Sequence, residues 1–185
     1  MRDLIFEIEV NREVARDVYH LRLTGDSSDI SCPGQFASIK LEGNFLRRPF
    51  SICAWDEEGL DIYYKVVGEG TEKLSALPVG TKLSAMVGLG NGYNTALSGE
   101  RPLLIGGGMG ATPLYCLCKK LLNEGKKPTV LLGFASAADV FLKDEFEALG
   151  AEVILCTDDG SMGHHGFVTD MMAQLDYSHF YTCGP

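Results

Sequence analysis

Across 185 residues the chain has no apolar run approaching the roughly 20 residues a membrane-spanning helix needs, so no helical membrane span is expected. Basic charge is scarce. Lys and Arg number 16 against 25 Asp and Glu, for a net charge of −9, which argues against nucleic acid or an anionic membrane as the main partner because both are bound through basic patches. There is no Cys-x-x-Cys pair among Cys32, Cys53, Cys116, Cys118, Cys156 and Cys183. Cys116 and Cys118 stand two apart on a predicted helix and point to different sides, and the adjacent His164 and His165 lack ligand spacing, so no metal site is expected. Most of these thiols read as small buried hydrophobes. The first residues carry acid and alternate like a strand, unlike a signal peptide, and a cytoplasmic location is expected. No internal repeat or low-complexity segment occurs. What remains, 45% hydrophobic and 22% charged, is an ordinary globular composition, with length for two small cores.

The most informative stretch is Leu103-Leu104-Ile105-Gly106-Gly107-Gly108-Met109-Gly110-Ala111-Thr112-Pro113, which reads as strand, glycine turn and helix start. Thr112 is expected as the N-cap and Pro113 as the first helical residue. Gly106, Gly108 and Ala111 fit G-x-G-x-x-G/A, and a helix N-terminus offers free N–H donors and partial positive charge to a phosphate. A tight turn with no guest is an equal reading of the loop alone. Downstream, helices over 113–124, 139–149 and 167–175 alternate with strands over 129–133, 152–156 and 179–183. That pattern predicts a doubly wound parallel sheet over 100–185, with its ligand at the carboxyl ends of the strands. Where an acidic residue would bind the adenine ribose, only Asp139 comes near. No arginine stands there to hold a 2′-phosphate, although Lys143 is within reach in sequence, so NAD is favoured over NADP.

Upstream, over 1–95, short alternating runs at 4–10, 18–23, 35–41, 49–54, 60–67 and 82–87 predict a small antiparallel β-barrel, interrupted by a helix over 71–77. Two spots are unusual for a plain barrel. Arg47-Arg48-Pro49-Phe50-Ser51 places an arginine, an aromatic and a hydroxyl at one strand entrance, with a solvated arginine pair beside a core Phe as the plain alternative. Gly68-Glu69-Gly70-Thr71-Glu72-Lys73-Leu74 ends a strand in a glycine turn and begins a helix with a hydroxyl, with simple capping as the alternative.

Together these motifs resemble the ferredoxin reductase superfamily, in which a flavin-binding barrel precedes a nicotinamide-binding α/β domain. Arg48-Pro49-Phe50-Ser51 matches that family's R-x-Y/F-S/T motif, and Gly68 through Leu74 corresponds to its G-x-G/C-S/T-x-x-L turn. The resemblance implies bound FAD, with Arg48 on the pyrophosphate, Phe50 near the ring system, Ser51 reaching the reactive ring nitrogen as a catalytic group, and Pro49 as a further cofactor-binding residue. Gly70 and Thr71 would supply pyrophosphate donors, and Tyr63, Tyr64 and Lys65 walls of the flavin site. It further implies NAD(H) at Gly106, Gly107, Gly108, Gly110, Ala111, Thr112 and Pro113, with Asp139 and Asp158 as further contacts. Cys183-Gly184-Pro185 is similar to the motif beside the nicotinamide, where Cys183 would line the hydride-transfer site.

Leu89-Gly90-Asn91-Gly92-Tyr93 and the run from Thr157 to Asp170 resemble one branch, the electron-transfer subunits of dihydroorotate dehydrogenase, although the Gly-Pro often found ahead of Leu-Gly-Asn-Gly is Val87-Gly88 here. That likeness implies a hetero-oligomer with an FMN-containing catalytic subunit, whose electrons pass through a [2Fe-2S] centre and FAD to NAD⁺ in pyrimidine biosynthesis. The cysteines lack the spacing of such a cluster, so the chain reads as shortened at its C-terminus. Two other readings are an NAD(P)H-dependent reductase subunit serving ferredoxin, hydrogenase or sulfur metabolism, and a cofactor-free docking module.

Overall fold

A computed structural model describes residues 2–185, which divide into two compact units, the first ending at Gly92 and the second spanning Tyr93–Pro185. The first unit contains strands β1 (Asp3–Ala15), β2 (Val18–Thr24), β3 (Phe36–Lys40), β4 (Arg48–Asp56), β5 (Gly59–Lys65) and β6 (Lys82–Leu89), with helix α1 (Glu69–Ser75) between the last two. The strands close into an antiparallel barrel in the order β1-β2-β5-β4-β3-β6. Because side chains alternate along a strand, Phe6 with Ile8, Leu21 with Leu23, Ala37 with Ile39, and Leu60 with Ile62 all turn into one buried cluster. β1 extends well past residue 10 because it serves two neighbours, pairing with β6 from Asp3 to Glu7 and with β2 from Glu7 to Ala15. Closing the ring in this way leaves no strand edge exposed.

One polar bracket is built into this core. The Asn11 amide donates to Leu74 O at 2.8 Å and Leu77 O at 3.0 Å, and its Oδ1 accepts the Tyr64 hydroxyl at 2.9 Å. Carbonyls left over at the end of α1 are thereby satisfied. The other end of α1 departs from expectation, since the helix starts at Glu69 and Thr71 lies inside its first turn. There the Thr71 hydroxyl accepts from the Val67 N–H at 2.9 Å and the Gly68 N–H at 3.2 Å, and donates to Gly68 O at 2.9 Å.

The second unit comprises β7 (Pro102–Gly107), α2 (Ala111–Asn123), β8 (Thr129–Phe134), α3 (Lys143–Ala148), β9 (Glu152–Thr157), β10 (His164–His165), α4 (Val168–Met172) and β11 (His179–Cys183). Its sheet runs β10-β9-β8-β7-β11 and every pairing is parallel. The chain moves outward from β7 to β10 and then returns to the other side of β7 as β11. A topological switch point therefore lies between β7 and β11, the place where such sheets open a crevice for a ligand. Leu103, Leu104, Val130, Leu131 and Leu132 are all buried, the continuous apolar pattern of a sheet covered on both faces.

Two expected helices change. In place of a helix from 139, a 3-10 turn at Ala137–Asp139 leads to an extended Val140 and a left-handed Leu142, and α3 begins only at Lys143. Phe141 and Leu142 are buried, with the Phe141 ring 5.5 Å from that of Phe134, so tertiary packing overrides the helical pattern. α2 begins at Ala111 with Gly110 as its cap, which corrects the expectation for Thr112. The 3-10 turn Gly108–Gly110 runs directly into the helix, so Gly110 already has helical dihedrals and Thr112 is carried inside, where its Oγ1 has no hydrogen-bond partner among the described residues. The helix expected over 167–175 is shorter, and His164-His165 forms an edge strand that the sequence did not signal.

Replacing Asn11 by Ala would leave the Tyr64 hydroxyl and two carbonyls without this partner, at a cost of about 2 kcal/mol. Urea unfolding followed by the fluorescence of Trp55, the single tryptophan and part of β4, should show a lower midpoint for Asn11→Ala. An unchanged midpoint would show that the bracket does not hold the barrel.

Candidate functional site

The adjacent Arg47 and Arg48 serve different ends. Arg47 Nη2 donates to Asp3 Oδ2 at 2.6 Å and Ser84 Oγ at 3.0 Å, while Nη1 reaches Ser38 O at 3.2 Å and Ser84 O at 3.3 Å. It fastens the entrance of β4 to β1, β3 and β6, and the Ser84 hydroxyl, with Arg47, holds the Asp3 carboxyl below its ordinary range. Arg48 turns instead to the start of α1. A Cβ on Gly70 would come within 2.9 Å of Arg48 Nε, while Nη1 donates to Leu46 O at 2.8 Å. The two motifs singled out in the barrel sequence thus meet at a guanidinium laid on glycine backbone. Gly68 is extended with open space where a side chain would be, and Phe45, Leu46 and Val67 stand exposed on the flanking residues. A cation over bare backbone with uncovered apolar side chains beside it fits a group that carries both a pyrophosphate and flat rings, as FAD does.

The remaining barrel residues divide. Phe50 packs on the core with its ring 5.7 Å from that of Tyr64, Ser51 is half-buried opposite Phe36, and Pro49 is exposed. Tyr64 is a correction to the expected flavin wall. It is 2% exposed and stacked 5.6 Å from Tyr19, because alternation places it on the inward face with Leu60 and Ile62. Burial pushes its hydroxyl's pKa upward, so it remains a neutral donor to Asn11. Tyr63 faces the other way and stacks 4.7 Å from His20, and Lys65 is half-buried at the end of β5. The Thr71 hydroxyl proton goes to Gly68 O, so the donors this turn presents outward are those of its backbone.

In the second unit the glycine loop meets the end of β11, whose register sets Cys183 opposite Gly106. A Cβ on Gly110 would overlap Cys183 O, and one on Gly184 would lie 2.6 Å from Gly107 O. Those two glycines let main chain press on main chain. Gly108 differs, with φ at 50° and nothing within 4 Å of its absent side chain, so it is the position at which a ligand could approach the backbone closely. Such an open glycine just before the helix N-terminus of α2 fits a dinucleotide phosphate.

Cys183 and Cys32 are half-buried and the other four cysteines are buried. Burial pushes the thiols of Cys116 and Cys118 up to about 11 and about 12, which keeps them neutral and unreactive. Tyr93, which sequence reasoning did not include in the site, packs on Tyr181, two residues before Cys183 on β11. Its ring lies edge-on to Tyr181 at 5.8 Å and 82°, and burial pushes its hydroxyl up to about 12. No local pattern signals this contact, since its partner lies at the far end of the unit.

Asp139 is 8% exposed and accepts the Ser136 hydroxyl at 2.7 Å, closing the 3-10 turn. The Lys143 ammonium is held 2.7 Å from Glu147 and 3.5 Å from Asp144. Asp158 is exposed, and its N–H donates to Phe134 O at 3.0 Å, tying the loop after β9 to the end of β8. Among the described residues no three His, Cys, Asp or Glu side chains gather as a metal site, and no helix is long and apolar enough to cross a membrane.

Residues 104–185 match the family model of the oxidoreductase NAD-binding domain. The chain is 44% identical over 183 residues to the dihydroorotate dehydrogenase B (NAD(+)) electron transfer subunit of Shouchella clausii, covering 94% of this chain and 70% of that protein. It is 38% identical over 192 residues to the subunit of the same name from Fusobacterium nucleatum, covering 96% and 74%. Among solved structures, the NADH-dependent reduced ferredoxin-NADP oxidoreductase superposes with a TM-score of 0.82 at 31% identity, over 92% of this chain and 62% of that one. The ferredoxin reductase of carbazole 1,9a-dioxygenase shares the fold, with a TM-score of 0.86 at 22% identity over all of this chain and 61% of that one. A barrel followed by a parallel five-stranded sheet is thus a ferredoxin reductase-like arrangement, and with identity at this level across most of both chains the protein belongs to the family of dihydroorotate dehydrogenase B electron transfer subunits.

Proposed function

We propose that this chain is the electron-transfer flavoprotein subunit of a dihydroorotate dehydrogenase, passing electrons between FAD held by a flavin-binding domain over 1–95 and NAD held by a nicotinamide-binding domain over 100–185. The observation that carries the reading is the Arg48 guanidinium lying on Gly70, which joins two motifs far apart in sequence into one anion cradle. In a protein of net charge −9 such a local cation is what an anionic cofactor requires.

FAD, when bound, supplies the exchange between single electrons and hydride. Arg48 and the Gly70 backbone hold its pyrophosphate, Phe50 supports the ring system from the barrel core, and Ser51 offers a hydroxyl to the reactive ring nitrogen. Gly108 and the first turn of α2 receive the nicotinamide dinucleotide's phosphates, with Cys183 beside the nicotinamide. Lys143, already paired with two carboxylates, offers no free charge to a 2′-phosphate, which favours NAD over NADP. The partner is an FMN-containing catalytic subunit on which dihydroorotate is oxidised, in the cytoplasm and in pyrimidine biosynthesis. The 31% identity to a ferredoxin-NADP oxidoreductase supports a second reading, a reductase subunit serving ferredoxin.

Arg48→Ala should weaken FAD binding by about thirtyfold, the worth of a charge-assisted contact to a phosphate, and leave NADH binding unchanged. Gly108→Ala, which fills the open position of the loop, should do the reverse. Calorimetric titration of both variants checks this, and wild-type FAD affinity in Arg48→Ala would remove the assigned role. Co-expression with candidate partners separates the two readings: an FMN-containing dihydroorotate-oxidising subunit should co-purify, whereas co-purification with ferredoxin alone would favour the second.

A further inference from the structure

We propose that Gln35 is a positioning residue for the flavin ring: its buried side-chain amide zips the turn at 89–92 onto the strands that carry Phe36 and Ser51, so that this wall stands ready before a ring reaches it. The inference rests on the assignment of Ser51 to the reactive ring nitrogen of the flavin. Gln35 is 6% exposed, and every bonding position of its amide is filled. Oε1 accepts the Ser31 N–H at 2.8 Å and the Cys32 N–H at 3.3 Å, and Nε2 donates to Gly88 O at 3.1 Å and Gly90 O at 3.2 Å. Its main-chain carbonyl accepts the N–H of Ile52, the residue after Ser51 in β4, at 3.1 Å. One residue thus joins the turn before β3, the end of β6 and the middle of β4.

The need for such a zip follows from an irregularity in the barrel. Phe36 pairs with Leu89 but Ser38 pairs with Met86, so β6 carries one residue more than β3 along this stretch. Gly88 sits in that bulge at φ 66°, where a Cβ would overlap Asp29 O, and the Gln35 amide takes up its carbonyl. Gly90, at φ 89°, sets the turn against Phe36, since a Cβ there would come 3.3 Å from the ring. Ala37 and Ile39 point into the core, so Phe36 faces outward, and its partner across the ladder is Ser51. The ring beside the turn and the hydroxyl assigned to the flavin are therefore neighbours on one outer face. Without the amide the turn would be released from Phe36, and a flat ligand would have to order both as it bound.

The test uses the full chain, cofactor-free and then reconstituted with FAD. Gln35→Glu keeps an oxygen for the Ser31 and Cys32 N–H groups but can no longer donate to both Gly88 and Gly90. Gly90→Ala leaves Gln35 in place and pushes the turn off Phe36 from the other side. In both variants hydrogen exchange of the 88–92 amides in the cofactor-free chain should quicken. With FAD added, affinity should fall about tenfold and the visible circular dichroism of the bound flavin should lose amplitude. A purely structural role would lower the melting temperature and leave that dichroism as in the parent. Such a result, or parent-like exchange at 88–92, would overturn the proposal. Where Gln35→Glu does not fold, Gly90→Ala decides the point with the same readouts. A parent chain that acquires no flavin spectrum refutes the flavin reading itself, and the ring placement with it, whereas a parent that binds FAD and variants that match it refute the role of Gln35 alone.

Discussion

At the carboxyl ends of β7 and β11 two segments of main chain press together with no side chain between them, and the layout of the second unit follows from that contact. Gly110 and Gly184 are the residues that permit it. Because β11 returns to the free side of β7, the glycine loop and the Cys183-Gly184-Pro185 segment arrive at the same switch point. The loop's glycines therefore have separate roles. Gly110 admits another part of the protein, while Gly108 stays open toward a ligand. The same contact holds the backbone of Cys183 against the glycine loop.

The first unit solves a similar problem with a different device. Helix α1 has seven residues, well short of the roughly 12 needed for a helix to be marginally stable alone, and it persists because both ends are held. Thr71 ties its entry to Val67 and Gly68, and Asn11 ties its exit through Leu74 and Leu77. Those brackets keep Gly70 facing Arg48, while Arg47, locked to Asp3 and Ser84, fixes the strand entrance from which Arg48 projects. Residues that never touch a cofactor thus decide where the cationic group stands.

Much of this was legible in the sequence because both cores write their periods plainly. Leu60, Ile62 and Tyr64 alternate inward, and Leu103-Leu104-Ile105 is the unbroken run of a strand covered on both faces. The same alternation places Tyr64 in the core and Tyr63 outside, so the wall assigned to Tyr64 conflicts with the strand's own parity. Thr71 and Thr112 both lie inside the first turn of their helices for a common reason: a hydroxyl near a helix start is compatible with several positions in that turn, and preceding glycines can already be helical. The break before α3 depended on Phe141 reaching Phe134, and the Tyr93–Tyr181 contact on two ends of one unit meeting, neither of which has a local signature.

The central claim is that one chain holds a flavin and a nicotinamide in electronic communication. Its most direct test is anaerobic titration of the FAD-reconstituted full chain with NADH and then NADPH, followed by visible absorption. Bleaching of the bound flavin by NADH, at lower concentrations than by NADPH, is the expected result. A protein that acquires no flavin spectrum when FAD is added, or whose bound flavin NADH does not bleach, would contradict it.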